Sequence, residues 1–234
     1  MKKIKLSGLQ IAFAAFTTLL CCASASADDY PSNTVRLGSE SVFYHTSADD
    51  ISGPYVPPGV NLNAENLETL YAAYIRRLSS QFDVELALGY PPLAKVDGKG
   101  PATVGSVPYN GQEISSARWI APTLFLEYKF MSESSPLRPY VGVGVNYTTF
   151  YDRDSTAAGN AANGGPTKLS LSASVGPAAA IGLVYRLPGH WQVEGSYSAS
   201  QVKTNLTADT DGIIRTTRIS FAPQVLVIAV GYSF

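Results

Sequence analysis

The chain ends in a run that alternates bulky and small side chains and closes on an aromatic residue. Read back from Phe234, the bulky residues Tyr232, Val230, Ile228 and Leu226 share one face of an extended strand. A soluble sheet turns its bulky apolar face toward a core and its polar face toward water. A bulky face opposite a small one, with an aromatic residue at the boundary, is typical of a transmembrane β-strand that faces lipid. The terminal strand therefore predicts a barrel in a membrane.

The N-terminus predicts a secretory signal over residues 1–27. A basic start, Met1–Lys5, precedes a mostly apolar stretch, and Ala25–Ala27 offers a small-residue cleavage site before Asp28. The predicted mature domain is then residues 28–234. Both cysteines lie inside the signal, so this domain has no thiol for a disulfide, for catalysis or for a metal.

Composition argues against several other functions. The chain has 17 basic and 18 acidic residues, and the signal removes three of the lysines, so no surface basic enough for nucleic acid is expected. The two histidines, His45 and His190, fall near opposite ends of the predicted barrel, which predicts no metal site. No nucleotide-binding motif is found, because Gly142 and Gly144 lie within a strand and not at a strand–helix turn. No cofactor is expected.

Eight alternating segments follow the signal, joined by connections of unequal length. Turns of a few residues on one side and longer loops on the other are the pattern of outer-membrane barrels. The sequence therefore predicts an all-β fold, an eight-stranded antiparallel transmembrane β-barrel in the outer membrane with both termini in the periplasm. The segments span residues 34–45, 66–79, 82–94, 116–130, 137–152, 169–187, 191–207 and 214–234.

The outward face of these segments carries two belts of aromatic residues, as a barrel that contacts membrane lipid requires. One belt lies beside the short turns and the other about one bilayer height away. The first belt is Phe82, Tyr128, Phe130, Tyr185 and Trp191, and the second is Tyr90 and Tyr147.

The inward face carries a dense group of charges near the short turns. Buried charges at this density require mutual pairing, so a cluster of ion pairs that closes the periplasmic end is favoured over a charged binding or catalytic site. Its predicted members are Arg36, Arg77, Asp83, Glu85, Glu127, Lys129, Arg138, Arg186 and Glu194.

Higher up, the inward residues become small, and an eight-stranded barrel with small inward residues should enclose a void. Glycines also ease strand curvature, which explains one or two of these residues but not small inward residues on several strands at the same height. Larger apolar residues are expected to wall the void. The predicted channel lining is Tyr71, Ala87, Gly89, Trp119, Phe125, Gly142, Gly144, Phe150, Ser198 and Phe221.

Three prolines interrupt the wall beside this void. Pro91 and Pro92 break the third segment about nine residues above its turn, and Pro122 lies at a similar height on the fourth. Proline cannot donate to a β-ladder. Either the third strand simply ends there, or the wall is locally unpaired and opens sideways toward lipid.

One stretch of the fifth segment, Arg138–Phe150, closely resembles the signature of the OmpW family of bacterial outer-membrane proteins. Val84–Leu86, Ala121–Leu124 and Gly231–Phe234 support the resemblance, which covers essentially the whole mature chain. The resemblance implies a narrow apolar channel for small hydrophobic molecules, with release through a lateral opening. Separately, the terminal Phe234 resembles the signal that the barrel assembly machinery reads.

Two other functions remain open from the residues themselves. His45-Thr46-Ser47 is similar to the His-x-Ser arrangement of lipid-modifying barrel enzymes, since positions i and i+2 share one strand face. No orienting acid accompanies it, so no catalytic residue is predicted. A structural or adhesive barrel without transport would instead need an interior filled throughout, and loops folded inward would supply the filling.

Overall fold

Strands make up most of the computed structural model, which describes residues 31–234; the predicted signal, residues 1–27, lies outside the described residues. In chain order the strands and the helix are β1 (Asn33–Phe43), β2 (Ser47–Ala48), β3 (Asn61–Ala64), β4 (Leu67–Arg77), β5 (Phe82–Gly89), β6 (Leu93–Lys99), β7 (Thr103–Val104), β8 (Val107–Pro108), β9 (Glu113–Ile120), β10 (Thr123–Lys129), β11 (Leu137–Ser155), α1 (Ala157–Asn163), β12 (Lys168–Leu171), β13 (Ser174–Arg186), β14 (Trp191–Ser200), β15 (Lys203–Thr210), β16 (Ile213–Ser220) and β17 (Gln224–Ser233).

Eight of these strands close into a barrel. Their order around the ring is β1, β4, β5, β10, β11, β13, β14 and β17, and β17 pairs again with β1. Every neighbouring pair is antiparallel. The predicted fold class, an eight-stranded closed antiparallel barrel, is therefore confirmed.

The bulky face of each barrel strand points outward. Leu70, Val143 and Ile228 are each about two-thirds exposed, whereas Arg36 on the inner face of β1 is fully buried. This arrangement is the reverse of that in a soluble barrel. Closure of the ring lets the backbone N–H and C=O groups of neighbouring strands pair with each other. The described residues contain no helix that is both long and apolar enough to cross a membrane.

We call the side of the barrel with the short connections the turn end. Its turns use backbone with positive φ at Met131 and His190. The start of β1 and the end of β17 meet here, where the backbone N–H of Phe234 donates to the Asn33 carbonyl oxygen at 2.8 Å and the reverse bond is 3.0 Å. These two bonds extend the β1–β17 pairing by one residue.

The opposite side, the loop end, differs from the sequence-based prediction. Five predicted segments are not continuous strands but break, so that their outer parts join separate sheets. Prolines account for three of the breaks, at Pro91–Pro92, Pro122 and Pro223, since a proline cannot donate to a ladder. The outer sheets are β3-β6-β9 with the upper part of β11, and β12-β15-β16-β2.

The loop-end sheets have an apolar core of their own. Val60, Leu62, Ile114 and Ile219 pack together with Tyr109, and all five are buried. Burial raises the pKa of the Tyr109 phenol to about 12. The long connections, expected to be loops, therefore contribute strands and α1 to an ordered structure.

Candidate functional site

A fully buried arginine organises the interior near the turn end. Arg36 Nη1 lies 2.6 Å from Glu85 Oε2, 2.7 Å from Glu194 Oε2 and 4.0 Å from Glu127 Oε1. The three carboxylates project inward from β5, β10 and β14, so one guanidinium joins four strands across the lumen. Burial of this charge is tolerable because it is paired on several sides.

Phenols and one lysine complete what we call the ion-pair cluster. Tyr71 Oη donates to Glu85 Oε1 at 2.7 Å, and Tyr140 Oη donates to Glu194. Lys129 Nζ pairs with Asp83. The cluster consists of Arg36, Tyr71, Asp83, Glu85, Glu127, Lys129, Tyr140 and Glu194, and sequence reasoning missed the role of Tyr140.

Three cations predicted for this cluster occupy other positions. Arg77 pairs with Glu133 Oε1 at 3.1 Å in a turn, and Arg138 Nη2 donates to the Ser80 carbonyl oxygen at 2.6 Å. Arg186 is half-buried as the last residue of β13. Arg77 and Arg138 thus bind the turns, because their strand positions lie closer to the turn end than Arg36 does.

Directly above the ion-pair cluster lies a cavity of about 120 Å³. Glu85, Glu127 and Tyr140 form part of its floor, and apolar side chains dominate the rest of its wall. Eight of the ten predicted lining residues do line it: Tyr71, Ala87, Gly89, Trp119, Phe125, Phe150, Ser198 and Phe221.

Gly142 and Gly144, the other two, do not line the cavity. Gly144 pairs across strands with Phe125, and a Cβ at Gly144 would lie 2.8 Å from the Phe125 ring. Gly182 likewise lies beside the Tyr140 ring. Aromatic rings from neighbouring strands therefore occupy the space beside Gly144 and Gly182, whereas Ala180 and Glu127 lie beside Gly142. The void is smaller than the sequence predicts.

Glu40 is a cavity residue that sequence reasoning missed. It faces inward from β1 and is 7% exposed. Its Oε1 lies where a Cβ at Gly89 would come within 2.1 Å, so only a glycine leaves room for it. Glu40 lies four residues after Arg36 on the same strand and therefore on the same inward face. This spacing was the signal in the sequence that could have identified it.

The barrel wall beside the cavity has an interval without backbone pairing. Pairing between β5 and β10 stops at Ala87 with Thr123, and pairing between β6 and β9 resumes at Leu93 with Arg118. Among the described residues, no backbone hydrogen bond joins 88–92 to 119–122. We call this interval the wall gap.

All three predicted prolines lie in the wall gap. Pro91, Pro92 and Pro122 lack backbone N–H groups, so the gap leaves three fewer backbone donors without a partner than non-proline residues at these positions would. One side chain bridges it, since Arg118 Nη1 donates to the Pro91 carbonyl oxygen at 2.9 Å. Of the two interpretations of these prolines, β5 does end before Pro91, and the wall between residues 88–92 and 119–122 is also unpaired.

The residues considered for catalysis and metal binding lie elsewhere. His45 and Ser47 are both exposed at the loop end, and no hydrogen bond links them in the described part of the chain. Residues 31–234 also contain no group of three or more His, Cys, Asp or Glu residues placed to hold a metal ion.

Comparison with known proteins gives consistent matches. The model of the OmpW family matches residues 33–234. Outer membrane protein W of Vibrio cholerae is 30% identical over 200 residues, which cover 86% of this chain and 87% of that protein. Outer membrane protein W of Escherichia coli K12 is 29% identical over the full length of both. The crystal structure of OprG from Pseudomonas aeruginosa matches with a TM-score of 0.78 and 25% identity, covering 88% of this chain and 96% of that one.

Proposed function

The chain belongs to the OmpW family of outer-membrane β-barrel proteins, and on that premise we propose that it is a channel for passive uptake of small apolar molecules. The observation that carries the proposal is the apolar cavity, closed toward the turn end by the ion-pair cluster and flanked by the wall gap.

The proposal orients the barrel with its turn end and both chain termini in the periplasm. Long outer connections and short periplasmic turns are the usual arrangement in bacterial outer-membrane barrels. A solute then enters from the loop end. Phe234, at the periplasmic rim, is in position for recognition by the barrel assembly machinery, and lipid contacts the outward face.

The proposed route leaves the barrel sideways. The ion-pair cluster closes the direct path to the turn end, because its charges are paired across the lumen and separating them is costly. An apolar solute in the cavity loses little by leaving water, whereas a sugar gives up hydrogen bonds that the apolar wall does not replace. The wall gap opens from this cavity toward the lipid, where an apolar solute is stable.

The test is uptake of a radiolabelled apolar solute by cells with and without the protein. Replacing Pro91 and Pro92 together by Thr adds two backbone donors, which favours pairing across the wall gap. Uptake should fall while the amount of folded barrel in the outer membrane stays the same. Pro188→Thr, in an exposed turn-end connection, is the matched control and should leave uptake unchanged.

Two results would contradict the proposal in different ways. A double variant that folds and transports at the parental rate would rule out the lateral route and direct the solute through the ion-pair cluster. No difference in uptake between cells with and without the protein would favour a structural or adhesive barrel. The proposal assigns no catalytic residue and no cofactor.

A further inference from the structure

Glu40 lacks any partner for its charge. Within residues 31–234 it is the buried carboxylate of the barrel that forms neither a hydrogen bond nor an ion pair, although it is only 7% exposed. The other buried carboxylates of the lumen lie in the ion-pair cluster. An isolated buried carboxylate is unfavourable unless something neutralises it or hydrogen-bonds to it.

The carboxylate of Glu40 points into the cavity rather than into packed protein. Glu40 lines the cavity, and the absence of a side chain at Gly89 makes room for its Oε1. Tyr44, Trp119 and Phe150 line the same cavity, and the faces of aromatic rings attract cations. A carboxylate with aromatic neighbours is the recognition chemistry of an ammonium group on an apolar body.

The charges that line the cavity also favour a cationic occupant. The charged residues that line the cavity are Glu40, Glu85 and Glu127, all of them acidic. The inward-facing cations of the described barrel strands do not line the cavity; they are Arg36, Arg77, Lys129, Arg138 and Arg186. The acidic lining of the cavity favours a cationic occupant and opposes an anionic one.

We propose that the cavity binds small amphipathic cations, with a protonated amine on Glu40 and an apolar body among the aromatic residues. The volume of about 120 Å³ is close to the cavity of roughly 150 Å³ that holds benzene in an engineered core. The inference extends the solute class of the proposed function from uncharged apolar molecules to amphipathic cations, and it rests on that function in treating the cavity as a solute site.

The experiment measures binding to the purified full-length mature barrel in detergent micelles by NMR. The indole N–H of Trp119 is buried in the cavity wall beside Tyr44, so its resonance reports on an occupant. The chain has two tryptophans, and Trp191→Phe identifies the resonance. The probes are benzylamine, benzyl alcohol and benzoate, which share a ring and differ in charge.

Benzylamine should shift the Trp119 resonance and bind more tightly than benzyl alcohol, and benzoate should not bind. Glu40→Gln keeps the shape of the side chain and removes its charge, so benzylamine binding should weaken about tenfold or more, the scale of one charge-assisted hydrogen bond. Benzyl alcohol binding should be unchanged. Glu68→Gln removes an exposed carboxylate from the neighbouring β4 and should leave all three probes unaffected.

Equal benzylamine affinity in the parent and in Glu40→Gln would overturn the inference, as would equal affinity of the parent for the amine and the alcohol. If Glu40→Gln does not fold, Glu40→Asp keeps the charge, and should keep the preference for benzylamine over the alcohol. No shift with any probe also overturns the inference. Uptake of an uncharged apolar solute, measured in parallel, then shows whether the channel function fails with it.

Discussion

The ring of Tyr140 lies against Gly182 on the neighbouring strand, where a Cβ would come within 2.4 Å of ring carbons Cε1 and Cζ. The two residues are direct cross-strand partners. The Tyr140 hydroxyl donates to Glu194, which in turn pairs with Arg36. The ring therefore cannot move aside without disturbing the ion-pair cluster.

Gly182→Ala should accordingly destabilise the barrel by about 1–3 kcal/mol, the usual cost of overpacking. Gly195→Ala on β14 is the control, because nothing lies within 4 Å of a Cβ there. Its effect should stay below about 1 kcal/mol. The measurement is reversible unfolding from lipid. Equal effects of the two substitutions would show that the ring is free to rotate away.

Removing the charge of Arg36 should lower the free energy of unfolding more than removing that of any single carboxylate in the ion-pair cluster. Arg36→Met leaves three carboxylates around one empty position and should cost about 3–5 kcal/mol in unfolding free energy. Glu127 lies 4.0 Å from both Arg36 and Lys129. Removing its charge with Glu127→Gln should therefore cost no more than about 1 kcal/mol.

The control for both cluster variants is Val143→Ala, since Val143 is 67% exposed on the outer face. A cost for Glu127→Gln as large as that for Arg36→Met would mean that Arg36 is not the centre of the cluster.

Arg118 should restrain the wall gap. Its hydrogen bond to the Pro91 carbonyl oxygen spans the gap, and one such bond contributes about 0.5–1.5 kcal/mol. Arg118→Met should raise uptake of an apolar solute about two- to tenfold. Arg153→Met removes an exposed cation from the nearby β11 and should not change uptake. A similar rise in both variants would assign the effect to surface charge.

The ring of Phe234 should act in assembly rather than in the finished barrel. Phe234→Ala keeps the backbone bonds to Asn33 and removes only the exposed ring. The fraction of heat-modifiable barrel in the outer membrane should fall. Phe130→Ala removes another exposed aromatic ring near the turn end and should assemble normally. Equal yields of both variants would argue against recognition of the terminal ring.

The loop-end sheets should loosen at alkaline pH. Free tyrosine has a pKa of about 10, and burial raises the pKa of Tyr109 to about 12. The neutral phenol therefore stabilises the folded sheets fully below pH about 10, and this contribution is lost as the pH rises through about 12. Limited proteolysis of the loop end should increase over this range. Tyr109→Phe should flatten the pH dependence, and an unchanged profile would exclude Tyr109 as its source.

The barrel could be predicted from the sequence because its determinants are local. Alternation alone assigns Leu70 and Val143 to the lipid face and Arg36 and Glu85 to the interior. The breaks at Pro91 and Pro122 were visible for the same reason. The outer sheets were not predictable in this way, because the pairing of β3 with β6 or β2 with β16 depends on long-range contacts.

The shape of the cavity depended on strand register, which alternation does not fix. The sequence predicts that Gly144 enlarges the void, but its cross-strand partner Phe125 fills that space. The same applies to Gly182 and Tyr140. Glu40 was overlooked because its isolation becomes visible only when the distances to all possible partners are known.

One strand, β11, passes from the turn end into the loop-end sheets without a break, over 19 residues. It pairs with β10 below the wall gap and with β9 above it, and the Tyr147 N–H donates to the Pro122 carbonyl oxygen in between. The edge of the gap formed by Ala121 and Pro122 is thereby anchored. The other edge is held as well, because the Tyr90 N–H donates to the Leu70 carbonyl oxygen of β4 at 2.7 Å and Arg118 binds the Pro91 carbonyl oxygen. The gap therefore lies between two anchored edges, and a change in its width requires one of these hydrogen bonds to break.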